Sequence, residues 1–251
     1  MKSVVTIFSI LFFFSCRQEQ TEIGNNQVKN PSDSITVDTS LISEGIKINA
    51  KFPFGIKMDS IKHYDKQRNT QFLLYFPVSN IITLDTGIKN ELIRQKDGFI
   101  KNVDEVRKEY GDEFISSLTN EFTAIPISVF KNQKLISYLF GISFYHSGAP
   151  HPVSFYYSYN FDNEKHKKII FSDYFKISSK ADTTYYCNLI TKAINRDGIC
   201  VGEIKNIDFN VEQDTISFNF DDYEIGSYGD GTMQGRLVKK KLLNRIKTKY
   251  H

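Results

Sequence analysis

Two histidines lie five residues apart in one short segment that is rich in glycine and proline. His146 and His151 enclose Gly148 and Pro150, and Pro152 follows directly. Two imidazoles with a third ligand are a donor set for zinc, which would indicate metal-assisted hydrolysis. No Cys or Glu stands at ligand spacing, so the alternative is a shaped loop with a glycine turn and stiffening prolines. Because loops on rigid strands often carry recognition residues, we expect a binding surface here and no metal centre.

An acidic run near the C-terminus is the second candidate for chemistry. Asp221, Asp222, Glu224 and Asp230 stand among glycines. Oxygen ligands at close spacing can bind calcium, but the EF-hand pattern is absent, and turn chemistry is the alternative. Glycine patterns of nucleotide-binding loops and the Gly-x-Ser-x-Gly pattern around a nucleophile are also absent. We therefore assign no catalytic residue and no cofactor.

The first cysteine follows a segment that is typical of a secretory leader. Lys2 precedes an uncharged apolar run of 11 residues, 4–14. A bilayer span needs about 20 apolar residues, so this run fits the hydrophobic region of a signal peptide. Ser15-Cys16 then resembles the lipobox of bacterial lipoproteins. The resemblance implies removal of residues 1–15 and attachment of fatty acyl chains, palmitate among them, to Cys16; an ordinary leader with an incidental cysteine is the alternative.

Two further cysteines, Cys187 and Cys200, remain in the exported part of the chain. An oxidising compartment allows a disulfide between them, and two buried free thiols are the alternative. Residues 17–42 are polar with no sustained apolar period, so they cannot bury enough surface to offset the entropy of ordering. We predict that residues 16–44 are a lipidated cysteine and a flexible tether.

The composition favours a β-rich globular part and excludes one class of partner. Aromatic residues make up 14% of the chain, with 21 Phe and 14 Tyr, and these residues suit half-buried sheets. The net charge is +3, too balanced to indicate nucleic-acid binding, although residues 239–251 are locally basic. This basic tail is either a solvated final helix, starting near Lys240, or a contact with anionic lipid or glycan.

Apolar periodicity predicts an α+β fold: antiparallel β-sheets with a long helix in the N-terminal half and a second helix packed on the sheet in the C-terminal half. The predicted helices cover about 86–109, with Gly98 as a weak point, and about 181–196. The predicted strands are at 46–52, 72–76, 122–130 as an edge strand because of Pro126, 136–144, 153–161, 169–171, 207–211, 216–220 and 233–238.

Three stretches of the C-terminal half resemble the domain of unknown function in the extracytoplasmic region of RsiV-type anti-sigma factors. That domain also occurs in some peptidoglycan deacetylases and in many lipoproteins. The matching stretches are Gly148–His151, then Tyr159–Asp162 with Ile170–Phe175, and finally Phe218–Phe220 with Tyr223–Gly231. The last is the most specific, so Tyr223 and Tyr228 join His146, Gly148 and His151 as candidate binding residues.

The resemblance implies four segments: a signal peptide at 1–15, the tether at 16–44, an α+β companion domain at 45–130 and the RsiV-like domain at 131–251. It implies an envelope module that binds or senses a protein or glycan, with a lysozyme-like protein or peptidoglycan as candidates. We expect a non-enzymatic protein anchored by lipid to the inner or outer membrane, facing the periplasm or the outside. The alternatives are a cell-wall glycan hydrolase or deacetylase-like enzyme using the His146/His151 loop, and a structural lipoprotein of an envelope complex. The oligomeric state stays open.

Overall fold

The computed structural model describes residues 56–111, 119–196, 204 and 207–251. Within these ranges the fold is α+β, as the sequence predicts, with nine strands in two sheets. The strands of the larger sheet are β1 (Lys57–Asp65), β2 (Thr70–Val78), β3 (Asn120–Lys131), β4 (Leu135–Tyr145), β5 (Val153–Asp162) and β6 (Lys167–Ile169). Those of the smaller sheet are β7 (Asp208–Val211), β8 (Thr215–Phe220) and β9 (Met233–Val238). The helices are α1 (Ile82–Tyr110), α2 (Phe171–Tyr174) and α3 (Lys180–Ile194).

The larger sheet keeps its strands in chain order, β1 to β6, and is mostly antiparallel. Its one parallel pair joins Thr70–Leu74 of β2 to Asn120–Ala124 of β3. Parallel neighbours need a long crossover connection, and α1 lies in the chain between these two strands. The β3–β4 hairpin continues the sheet across the predicted segment boundary at 130/131.

The long helix α1 packs its apolar stripe against one face of the larger sheet. Its prediction at 86–109 is confirmed, and the helix continues through Gly98. The hydroxyl of Tyr159 fills the space that a Cβ on Gly87 would need, so only glycine allows this approach of helix and strand. The buried residues of this core include Leu84, Ile88, Leu92, Phe99 and Val103 from α1 and Phe72, Leu74, Phe122, Phe140 and Phe161 from the sheet.

A second core lies between the smaller sheet, α2, α3 and the C-terminal turns. Ser179 caps α3, because its hydroxyl accepts the N–H of Asp182 at 3.2 Å. The helix then buries Tyr186 and Ile190. The aromatic centre of this core comprises Phe171, Tyr174, Phe175, Tyr186, Phe209 and Phe218.

A buried polar seam joins the two sheets. The hydroxyl of Ser137 donates to Asn160 Oδ1 at 2.6 Å, and Asn160 Nδ2 donates to the carbonyl of Phe209 at 2.7 Å. Ser137 also accepts the N–H of Val211 at 2.8 Å. Because each of these buried groups has a partner in the other sheet, the seam fixes where β7 lies beside β4 and β5.

Three sequence predictions about elements are wrong in detail. The strand β3 is not at an edge, because it lies between β2 and β4. Pro126 is tolerated there because the pairing with β2 stops at Ala124, and the register with β4 shifts between Pro126 and Ser128. The strand predicted at 169–171 lies two residues earlier, at Lys167–Ile169, since Phe171 begins α2.

The third error concerns the basic tail, where a helix was predicted from Lys240. The structure has two short 3-10 turns instead, Lys239–Leu242 and Thr248–Tyr250. Side-chain contacts pin this segment: Lys249 and Tyr250 both bond Asp162 Oδ2, at 3.1 and 2.9 Å. The predicted strand at 46–52, the signal peptide and the tether lie outside the described residues.

Candidate binding site

The two histidines of the candidate loop face different neighbours. The ring of His146 packs against Phe99 at 4.7 Å and Phe144 at 5.6 Å between ring centroids. Burial lowers the pKa of His146, and its Nδ1 is a buried atom without a hydrogen-bond partner in the described part of the chain. His146 therefore belongs with the aromatic side chains below the loop and not with a solvent-facing site.

The middle of the loop is a tight, anchored turn. Gly148 has a φ of 84°, a conformation that glycine adopts without steric cost. The N–H of Ala149 closes the turn on the carbonyl of His146 at 2.9 Å. The N–H of Ser147 donates to Asn120 Oδ1 at 2.8 Å, which fastens the loop to the start of β3. These contacts fix the conformation of the loop on the side of His146.

His151 joins the two tyrosines that the family resemblance indicated. Its ring lies flat on Tyr228, with centroids 3.4 Å apart and planes 18° apart. Tyr223 Oη lies 3.4 Å from His151 Nε2, and the rings of Tyr223 and Tyr228 are 5.7 Å apart. We call His151, Tyr223 and Tyr228 the aromatic cluster. Residues more than 70 positions apart in the chain thus meet at one surface.

The hydrogen bonds of His151 define its neutral tautomer. The carbonyl of Pro152 can only accept, so Nδ1 carries the proton that it donates across 3.1 Å. In the neutral ring Nε2 is then the acceptor for the hydroxyl of Tyr223. The aromatic cluster therefore combines stacked ring faces with an imidazole and a phenol group, which suits binding by stacking and hydrogen bonding.

Tyr223 is both exposed and held in an unusual backbone conformation. Its φ is 67°, in the left-handed region, which is rare for a bulky side chain. The residue is also 55% exposed, unlike a tyrosine that serves only to fill a core. Strained residues of this kind persist only where their surroundings determine the conformation, and they concentrate at functional sites.

Three carboxylates around Tyr223 supply that determination. Asp221 Oδ1 accepts the N–H of Tyr156 and Asp222 Oδ2 accepts the N–H of Ser154, both at 2.8 Å. Glu224 Oε2 accepts the N–H of Asp221 at 2.9 Å and closes the turn around Tyr223. The residues on both sides of Tyr223 are therefore fixed, the preceding two to β5.

Tyr228 is placed by a short 3-10 turn, Tyr228–Asp230. The carboxylate of Asp230 accepts the N–H and the hydroxyl of Ser227, both at 2.8 Å, and it forms an ion pair with Arg196. These bonds lower the pKa of Asp230, the Ser227 hydroxyl bond first among them. Within the acidic run at 221–230, Glu224 and Asp230 therefore accept hydrogen bonds inside their own turns, whereas Asp221 and Asp222 accept amides of β5.

The described part of the chain contains neither a cluster of metal ligands nor a helix able to cross a membrane. Across 56–111, 119–196, 204 and 207–251, no three His, Cys, Asp or Glu side chains lie together as a metal site would need. No helix in that part of the chain combines the length and the apolar character that a membrane crossing needs. Cys16, the predicted lipidation site, lies outside these ranges.

Cys187 is disulfide-bonded. Its side chain packs against the second core from α3. The predicted partner, Cys200, is outside the described residues, so the pairing of Cys187 with Cys200 stays a prediction.

The sequence indicated the members of the aromatic cluster but not the contacts by which the carboxylates position it. Asp208 was not singled out, although its Oδ2 accepts the N–H of Ser158 at 3.0 Å. Asp221 and Asp222 were interpreted as local turn residues. The residues that donate to them, Tyr156 and Ser154, lie 65 and 68 positions away in the chain. No local sequence pattern indicates a contact at that separation.

Comparison with solved structures finds the same fold in two crystal structures described as members of the DUF3298 family, a domain of unknown function. The Bacteroides fragilis structure has a TM-score of 0.55 and 16% identity, covering 78% of this chain and 95% of that chain. The Pseudomonas aeruginosa structure has a TM-score of 0.55 and 11% identity, covering 77% of this chain and 95% of that chain. These identities show a shared fold alone. No family model matches the sequence, and no curated protein matches it.

Proposed function

We propose that this protein is a lipid-anchored, non-enzymatic module of the bacterial cell envelope that binds or senses a protein or glycan at the aromatic cluster. The leader-like segment, Cys16 and the polar tether support the anchor. The three motif stretches that resemble RsiV-type domains support an extracytoplasmic location, and the shared fold is consistent with it. In this proposal two or more acyl chains on Cys16 give stable anchoring.

The single observation that carries the binding site is Tyr223. It is an aromatic residue in a left-handed conformation, 55% exposed and bonded to His151. Tyrosine is enriched in binding surfaces because it offers a large, rigid ring with a polar tip. Glycine or asparagine would adopt this conformation at lower cost, so a function of the ring itself is the reason we propose for a tyrosine at this position.

Retention assays on the mature, detergent-purified protein test the proposal. Insoluble peptidoglycan and immobilised lysozyme serve as the two baits, because they represent the glycan and the protein class. We expect saturable retention by one of them, competed by the same bait in soluble form. Retention by neither removes both candidates and contradicts the proposal in its present form.

A further inference from the structure

Three aspartates stand in a row along the outer edge of β5. The carboxylates of Asp222, Asp221 and Asp208 accept the N–H groups of Ser154, Tyr156 and Ser158 at 2.8, 2.8 and 3.0 Å. Alternate residues of a strand point their N–H groups to the same side. The strand β6 pairs with β5 only from Asn160 onward. The three carboxylates therefore occupy the place of a neighbouring strand, and we call them the carboxylate clamp.

Two members of the clamp are close enough to repel each other. Asp208 begins β7 and Asp221 follows β8, and the pairing of Asp208 with Asn219 brings these two ends of the hairpin together. Burial, with a smaller contribution from the charge of Asp221, raises the pKa of Asp208 to about 7 against the opposing hydrogen bonds from Ser158. Burial also raises the pKa of Asp221 to about 6, with Glu224 and Asp222 adding to the effect. Both carboxyl groups therefore change charge near neutral pH.

The charged and titratable groups around this pair come from every neighbouring element. Lys168 of β6 partly offsets the charge of Asp208, with its Nζ 5.3 Å from the ring centres of both Tyr157 and Tyr159. Tyr157 of β5 has a buried hydroxyl and keeps its proton, since burial raises its pKa far above neutral pH. Glu91 and Arg94 of α1 act on Tyr157. Asp222 and Glu224, in the loop after β8, act on Asp221. His151 lies in the aromatic cluster, where it contacts Tyr223.

We infer that the carboxylate clamp positions Tyr223 and that proton loss from Asp208 and Asp221 loosens it, so that the aromatic cluster is best ordered in mildly acidic conditions. The regulation of binding rests on the proposed function, whereas the clamp itself does not. A protonated carboxyl group still accepts an N–H through its second oxygen, so the clamp stays closed when it is neutral. When Asp208 and Asp221 are both charged, their repulsion and the cost of burying them favour opening of the clamp, because water can then solvate both carboxylates.

The direction follows from linkage between protonation and opening. A closed clamp binds protons that an open, solvated clamp releases, so opening becomes easier as the pH rises from about 5 to 8. Opening exposes the N–H groups of Tyr156 and Ser158 to solvent, which makes their hydrogen exchange the direct readout. We expect protection factors at these two amides to fall about tenfold over this range.

The experiment measures amide exchange by NMR on the whole mature protein at pH 5 and pH 8, without any ligand. Protection is expressed against the unfolded-chain rate at each pH, which removes the intrinsic pH dependence of exchange. Asp208→Asn and Asp221→Asn keep an acceptor oxygen and remove the charge. Asp214→Asn is the matched control, since Asp214 is an exposed residue at the opposite end of the same hairpin.

The expected result is a fall in protection in the wild type and in Asp214→Asn, and a clearly smaller fall in Asp208→Asn and in Asp221→Asn, each of which keeps the other titrating carboxyl group. An unchanged protection in the wild type overturns the inference even if neither variant folds. An equal fall in all four proteins overturns it as well. Because no ligand is present, a failed retention assay does not affect this result. The proposed binding function and the pH dependence of the carboxylate clamp are therefore tested independently.

Discussion

The imidazole of His151 lies on the ring of Tyr228, with centroids 3.4 Å apart and planes 18° apart. These residues come from two different loops, the one between β4 and β5 and the one between β8 and β9. Stacked rings contribute about 1 kcal/mol beyond the area they bury, so the contact helps to join the larger and smaller sheets. It also leaves Tyr223 as the exposed member of the aromatic cluster.

The strain at Tyr223 predicts an unusual effect on stability. Asparagine tolerates the left-handed region better than tyrosine, and the lost side chain is mostly exposed. We expect Tyr223→Asn to raise the free energy of unfolding by about 0.5 kcal/mol in urea titrations. Tyr64→Asn, on the outer strand β1 at 48% exposure, is the control and should lower it. A clear loss in Tyr223→Asn contradicts the strain argument.

The raised pKa values in the carboxylate clamp predict how stability changes near neutral pH. The pKa of Asp208 is about 7 in the folded protein against 3.8 in the unfolded chain, so its contribution is complete below 3.8 and is lost as the pH rises through 7. We expect the free energy of unfolding to fall by about 1 to 2 kcal/mol between pH 5 and pH 8, allowing for solvent screening. Asp208→Asn should flatten this part of the curve, and a loss of the same size in that variant contradicts the assignment.

At the acid end, Asp162 predicts a change of opposite sign. Burial raises the pKa of Asp162, but hydrogen bonds from the Lys165 N–H, Tyr250 and Lys249 outweigh it, and the pKa falls to about 2. Its contribution is therefore present above 3.8 and is lost as the pH falls through 2. We expect Tyr250→Phe to cost about 1.5 kcal/mol at pH 6, with the difference shrinking towards pH 2.

The control for that measurement is Tyr64→Phe. Tyr64 Oη donates to Asn69 Oδ1 at 2.6 Å, but this bond is exposed to solvent. Its removal should change the free energy of unfolding by less than about 0.5 kcal/mol. A pH-independent difference between Tyr250→Phe and the wild type would show that the tyrosine acts through packing on Tyr174 and not through the Asp162 carboxylate.

The fold could be predicted where the apolar pattern had one clear period. Apolar residues alternate over nine residues in each of the strands β4 and β5, and α1 repeats its apolar positions at helical spacing, so all three were placed within a few residues. The strand β1 was missed because its sequence, KMDSIKHYD, is mostly polar. It lies at the edge of the larger sheet, where polar side chains face solvent. Its place comes from pairing with β2, which no local pattern encodes.

In the candidate site, too, some residues could be predicted from the sequence and one could not. His151, Tyr223 and Tyr228 stood out because they lie in motif stretches, and the structure brings them together. His146 was grouped with His151 by spacing alone, yet it packs against Phe99 of α1. The spacing of residues in a loop says which side chains are near in the chain but not which way each one turns.

Lipidation is the prediction that concerns the segment before the domain. The leader and Ser15-Cys16 indicate that acyl chains are added to the cysteine thiol. We expect Cys16→Ser to abolish incorporation of labelled palmitate in cells, because a serine hydroxyl does not replace the thiol. Ser9→Ala, in the apolar run, keeps the cysteine and should retain the label. Labelled fatty acid on the Cys16→Ser protein contradicts the anchor.

Binding at the aromatic cluster is the central claim, and an affinity comparison of three proteins tests it most directly. Wild type, Tyr223→Ala and Tyr64→Ala are titrated against whichever of peptidoglycan or lysozyme retains the wild type. Both variants remove an exposed tyrosine, at 55% and 48% exposure, and only the first lies in the cluster. We predict that Tyr223→Ala weakens binding about tenfold or more, as truncation of an aromatic anchor does, while Tyr64→Ala binds as the wild type. Equal affinity of Tyr223→Ala and the wild type would contradict the account.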